Sequence, residues 1–258
     1  MTLKADPAAQ VRLLDVQELD STVDQLRHRR ASLPEIAEIA KLETSRAGLA
    51  DRVRDARIVV DDLTVELRKA ESDVEQVRAR RARDRDRMDQ GLITNAKDLQ
   101  RMTHELESLE RRVSTLEDAE LELMERMEQA QQELARAEEE IAATDARLAD
   151  LAASQAEKES EIEAELQAVV ARRGPAVQDL PADLLALYDK LRQAKGGMGA
   201  ALLRARQCGG CRLTVDPQEL ARIKAAPADD VIRCEECQRI LVRTSESGLG
   251  GRQAGAGD

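Results

Sequence analysis

Phenylalanine and tryptophan are missing from all 258 residues, and Tyr188 is the sole aromatic ring. A large globular core normally draws on aromatic bulk, so the absence argues against one here. No run of about 18 apolar residues occurs, which excludes a conventional membrane-spanning helix. The opening "MTLKADPAAQ" lacks the apolar centre of a secretory signal. These absences predict a soluble, cytoplasmic protein with no membrane partner. Histidine is scarce as well: only His28 and His104 are present, both within helical sequence and read as surface residues. No nucleophile–base pair, open metal site or cofactor loop stands out. "GGMG" (196–199) lacks the spacing of a phosphate-binding loop. An enzyme and a small-molecule substrate are therefore not expected. Net charge is −11, which opposes wholesale binding to nucleic acid or an anionic membrane but leaves room for a local basic patch.

What is abundant is charge, 35% of the chain, and an apolar fraction of 42% made mostly of Ala, Leu and Val. This is the composition of long helices and coiled coils. From Ile39 to Met88 apolar residues recur at alternating steps of three and four, through Leu42, Leu49, Val53, Val60, Leu63, Leu67, Val74 and Val77. Arg46, Arg81 and Asp84 are the charged exceptions. A second series runs from Leu99 to Leu151, slips at Gln155 and Lys158, and resumes at Ile162, Leu166 and Val169. Steps averaging about 3.5 residues keep one narrow stripe on a partner helix, the signature of a coiled coil.

Between the two series, Gly91 and Asn95 mark a turn, so the pair is expected to be an antiparallel hairpin. Facing residues should then have numbers summing to roughly 187, placing Arg81 near Glu105 and Arg46 near Glu140. Ser32, Pro34 and Glu35 read as the capped start of the first long helix. Upstream, Val16, Leu19, Val23 and Leu26 predict a short helix packed near Ile162 to Val169. The segment "RARRARDRDR" (78–87) holds six Arg against two Asp, and residues 105–140 hold thirteen acids against four Arg. These runs read as solvated faces pairing across the hairpin, or as a docking patch at its tip.

Gly174-Pro175 is expected to end the long helix, and Leu180-Pro181 to open a short one carrying Leu184, Leu187, Tyr188 and Leu191 on one face. All four cysteines then arrive as two C-x-x-C pairs: Cys208 with Cys211, and Cys234 with Cys237. In a reducing compartment such pairs are metal ligands rather than disulfides. Two separated knuckles suit one tetrahedral zinc, and four cysteines fill its shell, so the ion is structural rather than catalytic. "DPQELARIK" reads as a capped helix inserted between the knuckles. "AALLRARQ", "VIR" and "RILVR" read as flanking strands.

A hairpin followed by "C-x-x-C…C-x-x-C-x-R-I-L" resembles the bacterial C4-type zinc-ribbon coiled-coil family. "NAKDLQRMTHELESLERRVSTLEDAELELMERME" (95–128) is similar to that family's second long helix, and "CEECQRILV" to its closing knuckle. The resemblance extends from "LLDVQELDSTVDQLRHRRASLPE" to Val242, and the Ala/Arg-rich, lysine-poor character looks actinobacterial. It implies Cys208, Cys211, Cys234 and Cys237 as zinc ligands. Some relatives partner an alternative sigma factor, and one binds a flagellin messenger RNA. High-GC Gram-positive bacteria are not expected to use that sigma factor. Val242 stands where a Tyr commonly follows R-I-L.

The fold expected is mainly α: a long antiparallel coiled-coil hairpin over 1–172 with its turn near 89–95. A linker with a short helix (173–202), a small C4 zinc ribbon (203–244) and a disordered tail (245–258) follow. The function expected is that of a non-enzymatic adaptor binding one structural zinc. It would dock on RNA or on protein of the transcription machinery, with Arg212, Arg233, Arg239 and Arg243 as candidate partner-binding residues. The alternatives are a coiled-coil scaffold, or a factor inserting its tip, with Asp84, Asp86 and Asp89, into RNA polymerase.

Overall fold

The structure, a computed structural model, describes residues 3–250. Its elements run α1 (Pro7–Ala31), α2 (Pro34–Asp89), α3 (Ala96–Gln178), α4 (Ala182–Ala194), β1 (Ala200–Arg204), β2 (Gln207–Cys208), α5 (Pro217–Ala225) and β3 (Ile240–Val242), with a 3-10 turn at Ser245–Ser247. The chain divides into two compact units, one formed by Glu35–Ala153 and the other by Met1–Pro34 with Ser154–Asp258.

The first unit is the helical hairpin. Its α2 side is about 80 Å long at 1.5 Å per residue. Every expected stripe position on α2 from Ile39 to Met88 is buried or half-buried except Arg46. The same holds on α3 from Met102 to Leu151. Leu63, Val74, Leu109, Val113, Met127, Ala137 and Leu151 are the most enclosed. Leu99, close to the turn, departs from the pattern, being 42% exposed. There Gly91 takes φ +65°, and the Asn95 side chain accepts the Lys97 amide at 3.0 Å to cap α3.

Register is marked by ion pairs across the hairpin. Arg147 reaches Glu38 at 3.0 Å, Arg80 reaches Glu105 at 2.6 Å, and Arg52 reaches Glu140 at 2.8 Å and Glu133 at 3.1 Å. Arg46 pairs with Asp145 and Arg81 with Glu110. The expected partners of Arg46 and Arg81 are thus each displaced by about one helical turn. Arg46 is exposed beside the stripe rather than in it, and long guanidinium side chains reach diagonally. Each exposed pair contributes little by itself, because water screens it. Together they disfavour slippage of a stripe that is otherwise repetitive.

The second unit joins helices to the ribbon. Val23, Leu26 and Leu33 pack against Ile162 and Leu166, with Val169 alongside, as the spacing predicts. α1 begins earlier than its apolar stripe suggests, because Asp6 accepts the Ala8 amide at 2.8 Å and Pro7 occupies the first helical position. Ser32 does not start α2. Its hydroxyl and amide both donate to the His28 carbonyl, closing α1, while Leu33 is buried as the connector. Pro175 does not end α3, which continues to Gln178. So near the helix terminus, proline forfeits one hydrogen bond without interrupting a long ladder.

A shared core then unites Ala9, Leu13 and Val16 of α1, Leu184, Tyr188 and Leu191 of α4, and Ala200, Ile240 and Val242 of the sheet. The sheet order is β2-β1-β3, antiparallel between β1 and β2 and parallel between β1 and β3. Apart from the sheet, the N-terminal residues form an isolated antiparallel bridge at Lys4 and Asp230: Ala5 donates to the Asp229 carbonyl at 2.8 Å and Val231 to that of Leu3 at 2.9 Å. The expected tail begins with order, since Ser247 is buried and donates to the Leu203 carbonyl at 3.0 Å. Its remainder from 251 lies outside the described residues.

Gly199 is where β1 passes beneath α4. A Cβ there would lie 2.5 Å from the Tyr188 carbonyl oxygen. Gly48 lies within α2, and a Cβ added to it would meet nothing within 4 Å. Gly199→Ala should therefore destabilise the ribbon-bearing unit by about 1–3 kcal/mol, whereas Gly48→Ala should stabilise the hairpin by about 1 kcal/mol. Thermal unfolding followed by circular dichroism checks both; equal effects of the two substitutions would contradict the packing described.

Candidate metal centre

Each C-x-x-C pair forms the same backbone knuckle. The Arg212 amide donates to the Cys208 carbonyl and the Cys208 amide to that of Leu213, at 2.8 and 3.0 Å. The Gln238 amide donates to the Cys234 carbonyl and the Cys234 amide to that of Arg239, at the same two distances. The residue after the second cysteine of each pair turns left-handed, Arg212 at φ +60° and Gln238 at φ +63°. Neither is glycine, so each carries backbone strain on the order of 1–2 kcal/mol, held by the hydrogen bonds around it.

The knuckles face each other. Cys208 Sγ lies 3.8 Å from Cys237 Sγ, Cys211 Sγ lies 4.0 Å from Cys234 Sγ, and all four sulfurs fall within 4.8 Å of one another. Disulfide sulfurs sit about 2.05 Å apart, so these are free thiols. Four sulfurs at about 2.3 Å from a zinc ion stand about 3.8 Å from one another at the corners of a tetrahedron. The residues present fit zinc. When bound, the ion supplies the double positive charge that lets four thiolates share one site.

Without that charge two of the thiols, those of Cys208 and Cys234, resist ionisation. Burial pushes Cys234 up to about 12, against the opposing amides of Cys237 and Glu236. Burial likewise raises Cys208. Cys237 is also penalised by burial, yet the Arg239 amide and guanidinium and the neighbouring thiols bring it down to about 7.

The residues around the knuckles hold them to the rest of the fold. Glu219 of α5, buried and with its carboxyl pKa raised by that burial, accepts the Glu235 amide at 3.1 Å. Asp216 caps α5 by accepting the Gln218 amide at 2.7 Å. Arg239 donates to the carbonyls of Met198 and Lys195, both at 2.9 Å. Its aliphatic stem passes so near Gly210 that a Cβ there would come within 2.7 Å. Arg243 donates to five carbonyls, those of Ile223, Ala226, Pro227, Ala228 and Asp230, at 2.7–3.2 Å. These two candidate docking residues therefore face inward as clamps. Arg212 and Arg233 are exposed. Arg233 donates through Nε to the Gln238 carbonyl at 3.0 Å, and Arg212 has no side-chain partner among the described residues.

A polar network beneath the ribbon escaped the sequence reading. Asp20, only 5% exposed along its side chain, receives two hydrogen bonds from Arg173 at 2.7 and 3.2 Å and one from the Tyr188 hydroxyl at 2.9 Å. Burial, then the Asp20 carboxylate, raises the Tyr188 pKa, keeping it a donor. Gln17 accepts the amides of Gly199 and Ala200 at 2.7 and 3.2 Å and donates to the Gly197 carbonyl at 2.9 Å. The available signal was a polar residue on an apolar face: Asp20 interrupts the stripe of Leu13, Val16 and Val23.

Fold and site together define a coiled-coil protein with a zinc-binding ribbon. The chain belongs to the family of the CT398-like coiled coil hairpin domain, which it matches over residues 16–196, and residues 207–241 match the C4-type zinc ribbon domain. It is 38% identical over 244 residues to the uncharacterized protein Rv2229c of Mycobacterium tuberculosis, covering 93% of this chain and 98% of that one. A solved structure from Mycobacterium smegmatis is 34% identical with a TM-score of 0.80, covering 93% of this chain and all of that chain. CT398 from Chlamydia trachomatis, at 19% identity, shares the fold with a TM-score of 0.64 over 91% of this chain and 97% of that one. The mycobacterial relatives agree with the actinobacterial character of the sequence. No helix among the described residues is long and apolar enough to cross a membrane.

Two outcomes are expected. Zinc uptake by the metal-free protein releases protons, because Cys208 and Cys234 hold theirs at neutral pH. Apparent affinity should then fall by about tenfold for each unit the pH is lowered, per proton displaced. Competition with a chromophoric chelator across pH measures this, and a pH-independent affinity would contradict it. Arg243→Ala should destabilise the ribbon-bearing unit by about 2–3 kcal/mol by removing the shared donor of five carbonyls. Arg243→Lys should recover only part, since an ammonium lacks the planar fork. Full recovery by lysine, read from denaturant midpoints, would show that charge rather than geometry matters.

Proposed function

We propose that this is a non-enzymatic cytoplasmic adaptor that binds one structural zinc and docks on transcription machinery or its RNA through the ribbon. The observation that carries the reading is the closed sulfur cluster. Four cysteines complete the coordination shell, leaving no position for substrate water, and the site serves to fix the backbone around it. The families matched are a coiled coil and a zinc ribbon, neither of which supplies a reacting group. A reducing compartment keeps such thiols available to metal.

The docking residues that remain available are Arg212 and Arg233, each adjacent to a zinc-ligating cysteine and each exposed. A rigid knuckle fixes where their guanidinium groups start, so less freedom is lost on binding. Arginine suits either partner because its planar fork binds carboxylate or phosphate through two parallel hydrogen bonds. The thiolate cluster adds about −2 of its own charge when it holds zinc, so a ribbon contact with RNA would be modest and local.

The test is an Arg212→Ala, Arg233→Ala double variant compared with the intact chain. Binding to labelled oligouridine is followed by fluorescence polarisation, and binding to purified RNA polymerase by co-sedimentation. Zinc content and helicity should be unchanged while affinity for one of the two partners falls by about tenfold. If RNA is that partner, affinity also falls linearly on a log–log plot against salt. An intact chain that binds neither partner would sink the adaptor reading and leave a scaffold.

A further inference from the structure

The hairpin end carries a charge imbalance that its own ion pairs do not cancel. Residues 78–101 hold eight Arg and Lys against four Asp, in a chain whose net charge is −11. Pairing across the hairpin satisfies Arg78 with Glu117, Arg80 with Glu105 and Arg81 with Glu110. Along the helices, Arg80 also meets Asp84, Arg85 meets Asp89 and Arg101 meets Asp98. Among the described residues this leaves the side chains of Arg83, Arg87 and Lys97 without an ion-pair partner. Asp86 is the only aspartate of the segment in that condition.

Apolar surface accompanies this charge. Leu92 is 66% exposed and Leu99 42% exposed. With Ile93 and Met102 half-buried beside them, they adjoin a shallow depression bordered by Leu92 and Met102 and by three arginines and three acids. Asp84 and Glu105 there pair with Arg80 and Asp98 pairs with Arg101, which leaves Arg87 as the uncompensated charge on its rim. The turn holds Leu92 in place rather than leaving it loose. The Gly91 amide donates to the Met88 carbonyl at 3.1 Å, and the amides of Asp98 and Leu99 both donate to that of Asn95 at 3.0 Å. The turn thus presents Leu92 to solvent on hydrogen-bonded backbone.

We propose that this tip is a docking surface for an acidic protein segment bearing an apolar anchor side chain. Unpaired arginines supply the complementary charge, and Leu92 with Met102 supplies the apolar contact that anchors such an interface. A nucleic acid is the poorer fit, because the tip offers no aromatic ring on which a base could stack. The proposal deepens the adaptor reading by giving the protein a second contact, separate from Arg212 and Arg233.

A random dodecapeptide display library is selected on the intact zinc-loaded chain, on an Arg83→Glu, Arg87→Glu variant and on Leu92→Ser. All the altered side chains are exposed, and unchanged helicity and melting temperature confirm folding. Peptides selected on the intact chain should combine Asp or Glu with Leu or Phe. A synthetic peptide from that pool should bind either tip variant about tenfold more weakly and bind the Arg212→Ala, Arg233→Ala variant unchanged. Loss in the ribbon variant alone would refute the tip and leave the ribbon reading standing. An absence of acidic bias would overturn the proposal. So would equal binding to Leu92→Ser, or displacement of the peptide by stoichiometric oligouridine, which would mark a phosphate site.

Discussion

A helix whose apolar residues occupy a stripe one or two side chains wide cannot bury them alone. It must lie along a second helix with a matching stripe, and the rest of this molecule follows from that need. With no Phe or Trp and a single ring at Tyr188, the chain cannot compensate with a bulky local core. It therefore distributes burial thinly over many turns, with Leu, Val and Ala at alternating steps of three and four on α2 and α3. The narrowness of the stripe leaves most of each helix surface wet, so charge is abundant, and opposite charges arranged across the pair hold its alignment. Gly91 and Asn95 matter because they reverse the chain at the one place where both stripes stop.

The ribbon solves a different problem. Its strands are two to five residues long, too short to form an independent sheet core. Stability comes from two sources acting on the same backbone. The four cysteines draw two distant knuckles together, and the apolar side of β1 and β3 completes a core begun by α1 and α4. Arg239 and Arg243 reinforce this arrangement by gathering backbone carbonyls from the segments that follow α4 and α5, where no regular ladder runs. Asp20, Arg173 and Tyr188 do the same for charge within the helical part of this unit. The ribbon is accordingly built as an extension of the helical core rather than as an appended bead.

This construction bears on function. A zinc shell completed by thiolates has no vacancy for chemistry, and arginines committed to internal carbonyls cannot also grasp a partner. On the proposed reading, a partner contact would rest on side chains that the fold leaves exposed. Arg212 and Arg233 beside the cysteines meet that description, and so do Arg83, Arg87 and Leu92 at the hairpin turn. Each set is held on rigid backbone, which lowers the entropy lost on binding.

The sequence by itself pointed to the hairpin, because a 3.5-residue period over dozens of residues calls for a partner helix and Gly91 and Asn95 place a turn between two matching stripes. It also pointed to Cys208, Cys211, Cys234 and Cys237 as ligands of one metal, because the chain's only cysteines fall in two C-x-x-C pairs. Where local signals competed, the tertiary structure decided. Ser32 closes α1 because Leu33 is drawn into the core, α3 runs past Pro175, and Arg46 pairs with Asp145 rather than Glu140 because exposed side chains choose among several acids within reach. Above all, the roles of Arg239 and Arg243 were invisible in one dimension. An arginine that binds a partner and one that binds five carbonyls look alike in sequence, since the carbonyls belong to residues of any type and are assembled only when the chain folds.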